Sequence, residues 1–150
     1  MDKEFAPYEP SLALKELGFD EPCFGYYEPN GELDYIENHI LKDFPYLAKN
    51  SEWQALVAAP TFSQAFRWFR EKYKLRNTIT DFIDDETGIE WDYEIAIIGT
   101  DLDERGNYKP LVAYSTDDET RKFKTYEEAE LACLIKLIEI VKQQTHATTN

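Results

Sequence analysis

The chain has 150 residues, 43% of them hydrophobic and 15% aromatic, which is enough to bury a core without disulfide or metal staples and lies outside the composition of disordered chains. Thirty acidic side chains against sixteen basic ones leave a net charge of −14, arguing against broad contact with nucleic-acid phosphates or anionic lipid. No run of about 18 apolar residues occurs, and "MDKEFAPYEP" has neither a basic region nor an apolar stretch, so the expectation is a cytoplasmic protein without membrane span or secretion signal.

The charge is uneven. Residues 81–120 carry thirteen acids against two bases and residues 1–50 eleven against four, whereas residues 51–80 carry two acids against five bases. Acidity thus collects in segments that read as hairpins and turns, and the two long helices are neutral or basic. In chain order, Ser11 is placed to cap a short helix over "LALKEL" that Gly18 stops, because a left-handed C-terminal residue favours glycine. "PCFGYY" and "LDYIEN" read as strands around "EPNG", whose Asn30 and Gly31 favour a tight reversal. "HILKDFPYLAKN", interrupted by Pro45, reads as a connection, and "WQALVAA" as a third strand ended by Pro60.

Thr61 with Gln64 three residues later forms a capping-box pattern and opens a helix running to Leu75. At about 100° per residue, Phe62, Ala65, Phe66, Phe69 and Tyr73 fall on one narrow stripe, which is a core face. Arg67, Arg70 and Lys74 line one flank, while Trp68 and Leu75 lie off the stripe toward the opposite side. Trp68 is therefore expected to be partly exposed. Together Trp68, Arg67, Arg70 and Lys74 form the candidate partner contact.

Farther along, "TITDFID" and "IEWDYEIAIIG" read as strands joined through "DETG", and "KPLVAYS" as another after the turn "ERGN". Thr125 with Glu128 repeats the capping box. Apolar residues from Tyr126 to Val141 cover roughly 200° of that last helix, about twice an ordinary surface stripe. One sheet face does not cover such an arc. The helix is expected to lie between the sheet and the Thr61 helix, or to offer Leu131, Ile135 and Ile138 to a homodimer. Residues 144–150 read as a frayed polar tail. "TFSQA" at Thr61 and "TYEEA" at Thr125 match in type at every position, which fits either a duplicated strand-then-helix unit or two independent solutions to capping a core helix.

Candidates for chemistry are sparse. His39 precedes Asp43 at helical spacing, which would orient an imidazole, but no Ser or Cys sits in a nucleophile motif, and His146 lies in the polar "QQTHATTN". "DLDERGN" begins like a calcium loop, with Asp101 and Asp103 before Gly106, then fails at Arg105 and at Val112, where a bidentate Glu is required. No P-loop, GxGxxG or zinc spacing occurs. Cys23 and Cys133 form no CxxC pair and read as reduced thiols, Cys133 within "LACLIKLIEIV" as a small buried hydrophobe. The sequence implies no cofactor, no metal and no catalytic residue, and gives no ground for proposing an enzyme.

"ELGFDEPCFGYY", "PTFSQAFRWFREKY" and "TYEEAELACLIKLIEIVK" resemble segments of small uncharacterised proteins encoded by Bacteroidetes bacteria, often in phage or prophage material. The resemblance covers the start, middle and end of the chain, carries no known chemistry, and implies an accessory protein of a mobile element. A second analogy is to small antitoxin-like domains, in which a strand leads into a helix beginning with Thr, two variable residues and Glu-Ala; this chain has no appended DNA-binding segment.

The expected fold is one α+β domain over residues 1–150: an antiparallel or mixed sheet of about 4–6 strands, two long helices on one face and a short N-terminal helix. Three functions compete. The leading one is a protein-binding accessory factor, with an unidentified protein partner or a homodimer through the C-terminal helix. The alternatives are an acidic nucleic-acid mimic that inhibits a host DNA-binding protein, and an enzyme with an unrecognised site around His39. Neither nucleic acid nor membrane is expected as a partner, because Phe66, Phe69 and Tyr73 turn away from the Arg67, Arg70 and Lys74 flank and the net charge repels phosphate.

Overall fold

Local turn chemistry sets the layout. In the computed structural model, which describes residues 2–36, 47–99, 104–105, 111–115 and 123–148, the described elements include three α-helices and six strands. The chain divides into two compact units, Met1–Ala65 and Phe66–Asn150, a boundary that falls inside the second helix. The α+β class is as expected. The single sheet of about 4–6 strands is not, because the strands form two antiparallel three-stranded sheets, one in each unit. Each tight turn closes its own hairpin, and the third strand of the first sheet ends at Pro60, with no N–H to extend a ladder.

The first unit begins with helix α1, Tyr8–Glu16. Ser11 does not cap it. The helix starts after Pro7, whose fixed φ suits a helix entry, and the buried Ser11 hydroxyl donates to the Ala6 carbonyl at 3.0 Å. Its end follows the glycine rule. Gly18 takes φ +84°, Phe19 N–H reaches the Leu14 carbonyl at 2.9 Å and Gly18 N–H the Lys15 carbonyl at 3.0 Å, the paired bonds of a Schellman stop.

Strands β1 (Gly25–Tyr27) and β2 (Leu33–Tyr35) form the expected hairpin. Strand β3 is Val57–Ala59 and pairs with β1. It is shorter than "WQALVAA" suggests: Trp53 N–H bonds to the Lys49 carbonyl at 2.9 Å and Leu56 N–H to that of Trp53 at 3.0 Å, so residues 53–56 are spent in turns. Phe5, Tyr27, Val57 and Ala59 form the buried cluster of this unit, with Tyr8, Leu12, Leu33 and Tyr35 packed against it. Asn50 is buried and ties two segments together, Nδ2 donating to the Phe19 carbonyl at 2.8 Å and Oδ1 accepting from Ala58 N–H at 3.0 Å.

Helix α2, Phe62–Tyr73, carries the full capping box: Gln64 N–H donates to Thr61 Oγ1 at 3.2 Å, and Thr61 N–H to Gln64 Oε1 at 3.0 Å. It stops before Leu75, which already belongs to a strand.

In the second unit, β4 (Leu75–Asp84) and β5 (Gly88–Ile97) pair through ten consecutive residues, and β6 (Leu111–Ser115) joins the other side of β5. The expected "DETG" reversal is present: Asp84 Oδ1 accepts from Glu86 N–H at 2.9 Å and Thr87 N–H at 3.0 Å, and Gly88 takes φ +86°. Helix α3, Tyr126–Thr148, packs against β4 and β5. Glu128 N–H donates to Thr125 Oγ1 at 3.2 Å, but the Glu128 carboxylate accepts from Lys124 N–H rather than from Thr125. The helix passes through residues 144–148, where a polar tail is expected; the Thr145 hydroxyl donates back to the Val141 carbonyl at 2.9 Å.

The two units are not copies of one topology. β3 pairs with the first strand of its hairpin, β6 with the second of its own. "TFSQA" and "TYEEA" each follow a strand, β3 and β6, and open a long helix, α2 and α3.

Candidate interaction surface

Helix α2 places Arg67 and Arg70 on its exposed flank as expected, whereas Lys74 lies beyond the helix end at Tyr73 and Trp68 is placed otherwise. Arg67, Arg70 and Lys74 are exposed, whereas Phe62, Ala65, Phe66 and Phe69 are buried and Tyr73 half-buried. Trp68 is only 6% exposed, contrary to the expectation of partial exposure. On the helix it lies about 60° beyond Ala65, so the buried arc is wider than the five-residue stripe. Its indole meets the rings of Phe69 and Tyr73 edge-on, at centroid distances of 5.1 and 5.2 Å, and the Lys72 ammonium sits 4.7 Å from its centre. The candidate contact thus loses its aromatic member and keeps a cationic row.

Lys74 also makes the corner between α2 and β4. It adopts φ 59°, unusual without glycine, while its carbonyl accepts from Ile98 N–H at 2.7 Å. That corner ends the helix at Tyr73, and no glycine or proline in the sequence announces it.

A second surface is carried by the β4–β5 hairpin. Odd-numbered positions of both strands share one face, and on it Leu75, Ile79, Trp91, Tyr93, Ile95 and Ile97 are buried or half-buried. Tyr126 at the start of α3 lies against Trp91 there, ring centroids 5.3 Å apart. Past Asp81 and Trp91 the burial stops although the apolar row continues. Ile83 and Ile89 face each other across the last pairs before the turn and are 79% and 61% exposed. The row is legible as period-two alternation in "IEWDYEI"; in "TITDFID" Asp81 interrupts it and Phe82 falls on the other face, and where the cover ends is not legible.

On the opposite face, Glu90 is buried, and its Oε1 accepts from Lys124 Nζ at 3.0 Å and from the Thr87 hydroxyl. The contact ties the hairpin to the residue just before the Thr125 cap. Nothing in the sequence separates Glu90 from the other acids.

The expected homodimer edge of α3 is mostly inside the unit. Ile138 is 6% exposed, Leu131 half-buried and Ile135 42% exposed. Burial also raises both thiols, Cys23 and Cys133, to about 12, with Glu21 and Glu130 adding smaller electrostatic contributions in the same direction. Such thiols are poor nucleophiles. Asp20, exposed, is held below the usual carboxylate value by the hydroxyl and N–H of Ser51, at 2.7 Å each, with Lys49 adding a smaller contribution.

His39 and Asp43, and most of the "DLDERGN" segment, lie outside the described residues. His146 falls within α3. Among the described residues, no group of three or more His, Cys, Asp or Glu could hold a metal ion, and no helix is long and apolar enough to cross a membrane. No family model, curated protein or solved structure matches the chain.

Proposed function

We propose that this chain is a protein-binding accessory factor, in keeping with its resemblance to proteins of phages and other mobile elements, and that the β4–β5 hairpin is its contact surface. The observation that carries the reading is the exposed Ile83–Ile89 pair, an apolar step at the end of a regular hairpin. An exposed cross-strand apolar pair contributes little to a lone domain and a good deal to an interface that covers it. The cationic row Arg67, Arg70 and Lys74 serves as a second, electrostatic element facing an acidic protein surface, not nucleic acid.

The test compares wild type with an Ile83→Lys/Ile89→Lys double variant as bait in host lysate, with circular dichroism showing that both fold alike. Proteins held by the wild type and lost by the variant support the reading; identical capture by both removes it. Captured DNA-binding proteins that dissociate in salt, unaffected by the double variant, would point instead to the acidic-mimic alternative. Labelled single-stranded and duplex oligonucleotides should show no change in fluorescence anisotropy at physiological salt.

A further inference from the structure

The hairpin that carries the proposed contact surface also has an edge that is unpaired among the described residues. In the sheet order β4-β5-β6, β4 is an outer strand of ten residues, and among the described residues no strand pairs with its other side. The phase of its backbone follows from its neighbours. Trp91 exchanges both of its backbone bonds with Phe123, at 2.8 and 3.0 Å, on the side of β5 away from β4. Asp81, opposite Trp91, therefore sits in a non-hydrogen-bonded pair, and its own N–H and C=O point outward. Ile98 N–H bonding to the Lys74 carbonyl fixes the same phase at the other end. Even-numbered residues of β4 bond to β5; Asn77, Ile79, Asp81 and Ile83 present their peptide groups to the side away from β5.

Natural edge strands are commonly blunted by proline, by charged side chains such as lysine, by a bulge or by short length, and of these devices β4 carries only charges, Arg76, Asp81 and Asp84. β4 contains neither Pro nor Lys, keeps register with β5 through all ten pairs, and leaves Arg76, Thr78, Thr80, Asp81 and Ile83 exposed.

From this we infer that β4 pairs antiparallel with β4 of a second copy of this chain, about a two-fold axis at Thr80. The inference rests on the reading of the hairpin as the binding surface and names one occupant for it. Outward-pointing residues must meet outward-pointing residues, so only registers with an even sum of residue numbers are allowed. An axis at Asp81 would place two carboxylates opposite each other. An axis at Thr80 sets Thr80 against Thr80, Thr78 against Phe82 and Arg76 against Asp84, each of the last two twice by symmetry. Those are a threonine pair, aromatic–β-branched pairs and opposite-charge pairs, three kinds that stabilise antiparallel neighbours. On the other face Ile83 comes within diagonal reach of Ile79. The continuous six-stranded sheet would gain about eight backbone hydrogen bonds.

Light scattering on the purified chain should give twice the 17.6 kDa of one copy at tens of micromolar. Thr80 would be in a non-hydrogen-bonded pair, where α-carbons lie about 4.5 Å apart, within disulfide range. Oxidised Thr80→Cys should therefore run as a covalent dimer, and Thr78→Cys, opposite Phe82, should not. The buried native cysteines leave that background quiet. Asp81→Pro, which removes an outward N–H, should be monomeric. Should it fail to fold, Arg76→Glu should weaken the dimer about tenfold at low salt. A monomer at every concentration overturns the inference, as does a dimer in which Thr80→Cys links no better than Thr78→Cys. Capture of another protein that depends on Ile83 and Ile89 by a strictly monomeric chain would remove this inference and leave the binding reading standing; loss of both results removes both.

Discussion

The two units solve the same problem, holding three antiparallel strands together, by different means. In the first, every strand has three residues, and position comes from side chains that reach backbone groups. Tyr27 and Ser11 both donate to the Ala6 carbonyl, Asn50 bridges Phe19 and Ala58, and Lys15 donates to the Gln54 and Leu56 carbonyls at 2.8 and 2.6 Å. In the second, a ten-residue ladder carries most of the order, with an apolar face against α3 and the Glu90–Lys124 contact beside it. Short strands supply few ladder bonds, so polar clasps must order them; a long hairpin is ordered locally and can leave an edge and a tip uncovered.

The largest test of that contrast lies in apolar packing. Phe69 is fully buried beside Trp68 and Tyr73, and Phe69→Ala should cost about 3–5 kcal/mol in denaturant unfolding. A change below about 1 kcal/mol would mean that the buried face of α2 contributes no core.

Next comes the clasp. Asn50→Ala leaves the Phe19 carbonyl and the Ala58 N–H buried without their side-chain partner, and a loss of about 1–3 kcal/mol is expected. If the first unit were ordered by its ladders alone, the variant would melt with the wild type.

The smallest effect is electrostatic. Because Asp20 has a lowered carboxyl pKa, its contribution is fully present above the ordinary value of 3.8 and fades as acid protonates the folded form. Asp20→Asn should therefore be less stable than wild type at neutral pH, by at most about 1 kcal/mol for so exposed a group, and the gap should close in acid. A gap independent of pH would assign the effect to geometry instead of charge.

Much of the local structure was legible. Thr61 with Gln64, Gly18, and Asn30 with Gly31 each mark a boundary through bonds made within a few residues, and the aromatic stripe of α2 follows from helical period alone. The candidate contact was legible in part: the exposed Arg67, Arg70 and Lys74 were, and the burial of Trp68 was not, because an indole off the stripe is covered or left open by what packs beside it.

What the sequence by itself determined, then, are the elements and those boundaries set by capping boxes and turn glycines, since caps, turns and periodicity act through neighbours along the chain; the start of α1 after Pro7 and of β3 at Val57 were not among them. Tertiary structure alone decided that six strands form two sheets instead of one, that Lys74 takes a left-handed corner without glycine, and that the apolar row of the β4–β5 hairpin runs past its cover to expose Ile83 and Ile89. Each of these depends on contacts between residues far apart in the chain, and a period or a capping motif carries no information about which distant surface meets it.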